Sequence, residues 1–162
     1  MEARSEVDIV PATVADVPMI FQLIRELAEY ERLTHEVVAT EEQLREHLFG
    51  ARRYAEVVLA KSHGEVVGFA LFFHNYSTFK GRPGIYLEDL YVRAQHRGQG
   101  YGAALLRHVA RIAVSRGCAR FEWSVLDWNQ RAIDFYRSFG AAPVDGWTIY
   151  RVTGDALAKL GS

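Results

Sequence analysis

Three stretches of this chain carry residue types at spacings able to do chemistry. The first is Gln95-His96-Arg97-Gly98-Gln99-Gly100-Tyr101-Gly102-Ala103, where three glycines alternate with larger residues. Glycine lets backbone N–H groups turn toward one point and lets a ligand approach closely. The run precedes a helical pattern, and a helix N-terminus adds partial positive charge. Together these make an anion cradle suited to a pyrophosphate. The spacing is neither that of a Walker A loop nor that of a dinucleotide fingerprint. No lysine follows to reach a terminal phosphate, and the loop comes too late in the chain for a first βαβ unit. Alone, the same pattern also describes a plain flexible turn.

The second stretch is Leu87-Glu88-Asp89-Leu90, inside a strand pattern from Ile85 to Val92. Successive strand residues point to opposite faces, so at least one carboxylate is expected near the core or in a cleft. An unpaired buried carboxylate is costly and implies a partner or a task. A structural acid held by nearby backbone is the competing reading, weightier for Asp89 than for Glu88. The third stretch, Val125 to Tyr136, includes Asn129 and Tyr136. Asn129 suits a helix cap, and Tyr136 shares a helix face with Ala132 and Phe139, the usual fate of a core aromatic.

The elements that must position these residues follow from periodicity and punctuation. A short strand near Val7 to Val10 opens the fold. Thr13 with Asp16 forms a capping pair, Pro18 suits a first helical turn, and Ile20, Ile24 and Leu27 share one face. Thr40 with Gln43 caps a second helix that stops at Gly50. Strands are predicted over Ala55 to Lys61 and Val66 to Phe73, joined by a hairpin turn at Ser62-His63-Gly64-Glu65. The stretch Ser77 to Gly84 reads as a mobile loop, and Ile85 to Val92 as the next strand. A helix then runs to Gly117 with Leu105, Val109 and Ile112 inward. A strand over Phe121 to Leu126, a helix ending near Gly140, and a strand over Trp147 to Val152 complete the set. This is a mixed α/β domain whose sheet is antiparallel first and locally parallel later.

Composition sets the outer limits. With 162 residues the chain fits one domain, 1–162, able to bury a core without disulfides or metal. Nineteen Lys plus Arg against 20 Asp plus Glu give a net charge of -1, which argues against a strongly basic nucleic-acid binder. One cysteine, Cys118, excludes an intrachain disulfide and suits a reducing cytosol. The segment Met1 to Glu6 lacks the apolar core of a signal peptide, and no apolar run approaches a membrane span. The six histidines show no paired metal-ligand spacing, so no metal is expected. Trp123, Trp128 and Trp147 read as core or interface residues.

Taken together, Leu87-Glu88-Asp89-Leu90-Tyr91-Val92, then Gln95 to Gly102, then Asn129 and Phe135-Tyr136 before Phe139-Gly140-Ala141, resemble the GNAT superfamily of acetyl-CoA-dependent N-acetyltransferases. The likeness spans nearly the whole chain and is greatest to the spermidine/spermine acetyltransferase branch, thialysine Nε-acetyltransferase type. Leu23 to Glu31, Ile85 to Val92 and Val125 to Ala132 carry it. The resemblance implies a mostly antiparallel sheet flanked by helices, with a parallel pair splayed around the acetyl-CoA site. Leu90, Tyr91 and Val92 would hold the pantetheine arm with their backbone. The amides of Arg97, Gly98, Gln99, Gly100, Tyr101, Gly102 and Ala103 would take the pyrophosphate. Asn129, Arg131 and Ala132 would contact the coenzyme. Tyr30, Glu31, Glu88 and Asp145 match positions lining the amine pocket, and Tyr136 that of the general acid. The branch forms homodimers. Its polyamine enzymes carry an Asp where this chain has Ser77, which favours a shorter amine here.

That chemistry is self-consistent. A lysine-like amine has a pKa of about 10.4, so roughly one molecule in a few thousand is neutral at pH 7. Pocket acids such as Glu31 and Glu88 attract the cation, and one of them takes a proton before attack on the acetyl carbonyl. A backbone N–H near Leu90 would steady the oxyanion, and the phenol of Tyr136 would protonate the departing thiolate. No covalent enzyme intermediate is needed. Two other readings keep the same residues: transfer to a protein lysine or N-terminus, and a non-catalytic acyl-CoA-binding module.

Overall fold

The computed structural model describes residues 6–162, so the expectation for the extreme N-terminus lies, except for Glu6, outside the described residues. The chain packs as two compact units, 1–124 and 125–162.

In the first unit, strand β1 (Asp8–Pro11) leads through a one-turn helix at Val14–Asp16 into helix α1 (Val17–Tyr30). Thr13 and Asp16 form the expected capping box, and Pro18 sits in the first turn of α1. Helix α2 (Glu41–Phe49) is capped by Thr40, whose hydroxyl accepts from the Gln43 amide at 3.2 Å. Strands β2 (Glu56–Ser62) and β3 (Glu65–Ser77) are joined by His63 and Gly64, both at positive φ, 51° and 76°. Such a two-residue turn matches the right-handed twist of a hairpin. Strand β4 (Arg82–Val92) follows, then helix α3 (Tyr101–Ser115) and the short strand β5 (Phe121–Trp123). The sheet order is β1-β2-β3-β4-β5, antiparallel throughout except for the parallel pair β4 and β5.

Ile20, Leu23 and Leu27 of α1 pack with Leu48, Val57, Leu59, Phe69 and Tyr91 in one buried cluster. Each such aliphatic side chain contributes about 1.5–3 kcal/mol by leaving water. On the face of α3 that turns inward, Tyr101, Leu105, Leu106, Val109 and Ala113 are buried.

Two irregularities matter for function. First, β5 pairs with β4 only from Ile85 to Leu87, so the inner end of β4, Glu88 to Val92, runs on beyond that partner. Second, the β3–β4 register slips by one residue: Leu87 faces Phe72 but Asp89 faces Leu71, which leaves Glu88 as the extra residue of a β-bulge. Residues paired across a ladder share a face. Asp89 and Tyr91 therefore lie on the face of Leu71 and Phe69, within or against the α1 cluster.

In the second unit, helix α4 (Gln130–Arg137) begins at Asn129, whose Oδ1 accepts from the Ala132 amide at 3.1 Å. Helix α5 (Gly154–Leu160) was not anticipated. The strand expected over Trp147 to Val152 does not form. The segment has β-favouring residues but is 82% exposed at Trp147 and 91% at Tyr150. Propensity makes a strand only where a neighbour satisfies its N–H and C=O groups. The strand begun at Phe121 likewise ends at Trp123, three residues early. The loop expected over Ser77 to Gly84 shrinks to the turn 78–81, because β3 and β4 extend as a hairpin to Ser77 and Arg82. Of the three tryptophans none is a core residue: Trp128 and Trp147 are exposed, and Trp123 is partly buried.

Candidate active site

The glycine loop begins where β4 ends. Gly98 and Gly100 stand at φ 79° and 85°, a region that L side chains rarely adopt, and open space surrounds the position of a Cβ at both. Gly100 is the N-cap of α3 and offers no side-chain cap. The N-cap of this 15-residue helix therefore supplies no side-chain acceptor to the first-turn amides. Behind the loop, the buried Tyr101 hydroxyl donates to Ser62 Oγ at 3.0 Å or to Gln99 Oε1 at 3.1 Å, anchoring α3 to β2. A helix N-terminus with open space at Gly98 and Gly100 fits an anionic group such as a coenzyme pyrophosphate.

The acidic residues gather at the other side of β4. Helix α1 ends in a Schellman motif: Leu33 N–H donates to Ala28 O at 2.8 Å and Arg32 N–H to Glu29 O at 3.1 Å, with Arg32 at φ 62°. This turn fixes Tyr30 and Glu31 at the helix end. The Glu31 carboxyl is raised above its ordinary value, first by burial and then by the charge of Glu88. Asp89 is pushed up to about 7 by burial, with Glu88 and Glu31 adding repulsion. Glu31 and Asp89 thus both lie within reach of the charge of Glu88. Simple strand alternation does not anticipate this. It sends Glu88 and Asp89 to opposite faces, whereas the bulge leaves Glu88 exposed and turns Asp89 toward the α1 side. Asp89 is the functional candidate that pattern reading undervalued, and the signal lies in a register slip absent from local sequence.

The first unit therefore brings together Tyr30, Glu31, Glu88, Leu90, Tyr91, Val92 and the loop Arg97 to Ala103. Ser77 is buried, and its Oγ accepts from the Lys80 amide at 3.3 Å, so it serves the hairpin turn. Asn129, Arg131, Ala132 and Tyr136 belong to the second unit, at and along α4. Tyr136 is half-buried there with its ring 5.3 Å from that of Phe135. Asp145 lies exposed in the irregular segment after α4. Among the described residues no helix is long and apolar enough to cross a membrane.

Comparison with known proteins identifies the family. The chain is 42% identical over 160 residues to a thialysine N-epsilon-acetyltransferase of Bos taurus, covering 92% of this chain and 94% of the relative. It is 36% identical to an L-ornithine N5-acetyltransferase of Arabidopsis thaliana, over 92% of this chain and 85% of the relative. Its fold superposes on an integron cassette protein from the mobile metagenome of V. cholerae with a TM-score of 0.80 at 29% identity, over 96% and 97% of the two chains. Residues 18–141 match the model of the acetyltransferase (GNAT) family, whose members use acetyl-CoA as co-substrate. The parallel pair of β4 and β5, the glycine-capped helix N-terminus and the match over most of the chain agree, and the protein is an acetyltransferase of the GNAT family.

Proposed function

We propose that the protein transfers the acetyl group of acetyl-CoA to the primary amine of a small molecule: thialysine, a lysine-like amine such as ornithine, or a short diamine. The observation that carries this reading is the mutual repulsion of Glu31, Glu88 and Asp89 beside the open end of β4. Acids forced together are relieved by a cation, and an alkylammonium is one that must also lose a proton before it can react. The names of the two relatives above, both acetyltransferases of small amino acids, favour the same substrate class.

In this reading acetyl-CoA supplies the activated acetyl group as co-substrate. The loop amides from Arg97 to Ala103 grip its pyrophosphate, and the backbone of Leu90 to Val92 orients the arm alongside β4. Asn129, Arg131 and Ala132 add contacts to the coenzyme. Tyr30, Glu31 and Asp145 line the amine site. Glu88 accepts the ammonium proton, directly or through water. The amine attacks directly within a ternary complex. Tyr136 returns a proton to the departing thiolate. Residues 1–162 act as one cytoplasmic catalytic domain, without a metal, and pair as a homodimer; the exposed Trp147, Ile149 and Tyr150 favour a partner surface.

The test is coenzyme A release with thialysine, lysine, ornithine, putrescine and spermidine, set against peptides bearing free lysines and N-termini. Turnover of the short amines above all others is expected. Strong acetylation of peptides with none of the small amines would sink the reading. Tight acetyl-CoA binding with no acceptor at all would favour a non-catalytic binding module.

A further inference from the structure

Arg97 opens the glycine loop, yet its side chain turns back from the loop. Its Nε donates to the Val92 carbonyl at 3.1 Å. Its guanidinium carbon stands 4.5 Å from the centre of the Tyr30 ring and 5.6 Å from that of Tyr91. A planar guanidinium stacks against aromatic faces while still donating from its edge, which a lysine ammonium cannot reproduce. Tyr91 is itself fixed: it is buried, and its ring meets that of Phe69 at 6.5 Å in an edge-to-face pair. Three elements thus converge on one guanidinium: the last residue of α1, the inner end of β4 and the loop before α3.

The position of Tyr30 gives this contact its meaning, because Glu31 is the next residue and carries the acidic corner. A second arginine frames the same junction further back. Arg93 Nε donates to Glu26 Oε1 at 3.2 Å and its Nη1 to Val66 O at 3.4 Å, with both side chains only 19% exposed. Arg93 ties the body of α1 to the sheet, which leaves Arg97 as the tie to its tip.

We propose that Arg97 is a positioning residue that joins the two substrate sites: by clamping Tyr30 from the glycine loop, it makes the shape of the anion cradle and the placement of the acidic corner a single unit. On the acceptor side the inference rests on the amine reading above; on the acetyl-CoA side it does not. Coupling between sites is reciprocal in binding free energy. A change at Tyr30 must therefore be felt by acetyl-CoA, and a change at Arg97 by the amine.

The experiment is a double-substitution cycle on the full chain, with acetyl-CoA Kd measured by titration in the absence of any amine. Tyr30→Leu is expected to weaken acetyl-CoA by about fivefold, the loss of one cation–π contact. Tyr30→Phe, which keeps the ring face, stays within about twofold of wild type. Arg97→Lys behaves like Arg97→Met, and the Arg97→Met/Tyr30→Leu double variant is no worse than Arg97→Met alone. With an amine that is turned over, Arg97→Met raises the acceptor KM more than it lowers kcat. If Tyr30→Leu destabilises the fold, Tyr30→Met supplies a ring-free variant whose longer, flexible side chain fills the gap differently. An unchanged acetyl-CoA Kd in the folded ring-free variant overturns the clamp, as do effects that simply add, because Arg97 would then act on the coenzyme by itself. A non-additive cycle in a protein that acetylates none of the amines leaves the clamp standing and removes the amine reading instead.

Discussion

The glycine loop and the acidic corner lie at the two sides of the same strand end, yet they are built on opposite plans. The loop works with backbone: Gly98 and Gly100 accept positive φ, and a side chain such as Tyr101 serves as an anchor, on Ser62. The corner works with side chains: Glu31, Glu88 and Asp89 come from a helix end and a bulged strand, and burial with neighbouring negative charge raises Glu31 and Asp89. A backbone site is sensitive to conformation and indifferent to pH. A carboxylate site is the reverse. The proposed reaction, in which one site binds a polyanion and the other deprotonates a cation, thus draws on two independent kinds of chemistry.

The largest expected effects fall on the proton-moving groups. Glu88→Gln should lower kcat by about a hundredfold or more while acetyl-CoA Kd stays near wild type. Tyr136→Phe should do the same from the leaving-group side, and full activity of the Phe variant at every pH would remove Tyr136 as the acid. Equal damage to acetyl-CoA binding from Glu88→Gln would mean that the corner and the loop are not separable. Next comes Gly100→Val, which places a β-branched residue at φ 85°. The strain of that conformation, about 1–2 kcal/mol, should weaken acetyl-CoA roughly tenfold, with little change in the pH profile of turnover.

The pH dependence of stability distinguishes the two plans more finely. Asp89 titrates near 7 in the folded chain and near 3.8 unfolded. Below both values the two states hold the same proton. Between them the folded chain keeps a proton that the unfolded chain has released, so stability falls as pH rises from about 4 to about 7 and is flat above. Asp89→Asn should therefore raise Tm at pH 8 by roughly 5 °C or more, with the advantage shrinking toward pH 4. A Tm difference independent of pH would show that burial of Asp89 is not costly. The smallest effect concerns salt: raising ionic strength from about 0.1 to about 1 M should raise the acceptor KM a few-fold through screening of the corner. No salt effect on the acceptor would argue that its site is not acidic.

The loop was legible in the sequence because its chemistry is local. Glycine spacing, the helical pattern behind it and the strand before it all fall within some twenty residues, and Asn129 reads as a cap for the same reason. The corner was only half legible. Glu88 stands out as an acid inside a strand pattern, but Glu31 emerges only through family resemblance, since nothing in a one-dimensional pattern says that a helix end meets a strand 57 residues later. For Asp89 a structural and a functional role stay balanced in the sequence, because the register slip that sets its face is not written there. Trp147 to Val152 failed for a related reason: strand formation depends on a neighbour, and propensity carries no information about one. The hairpin at His63-Gly64 and both capping boxes succeeded because the deciding contacts are within four residues.

The bulge at Glu88 also constrains how this strand can change over generations. It acts as a phase shift: residues on the hairpin side of Glu88 and residues on the loop side obey opposite inside–outside parity along one continuous strand. A point substitution at Glu88 removes a carboxylate and leaves that phase intact. Deleting the residue would erase the shift, forcing either Asp89 and Tyr91 off the α1 face or Leu87 and Ile85 out of the other. The count of residues between the hairpin and the glycine loop is therefore held more tightly than their identities, and length variation should be tolerated in the turn 78–81 long before it is tolerated here.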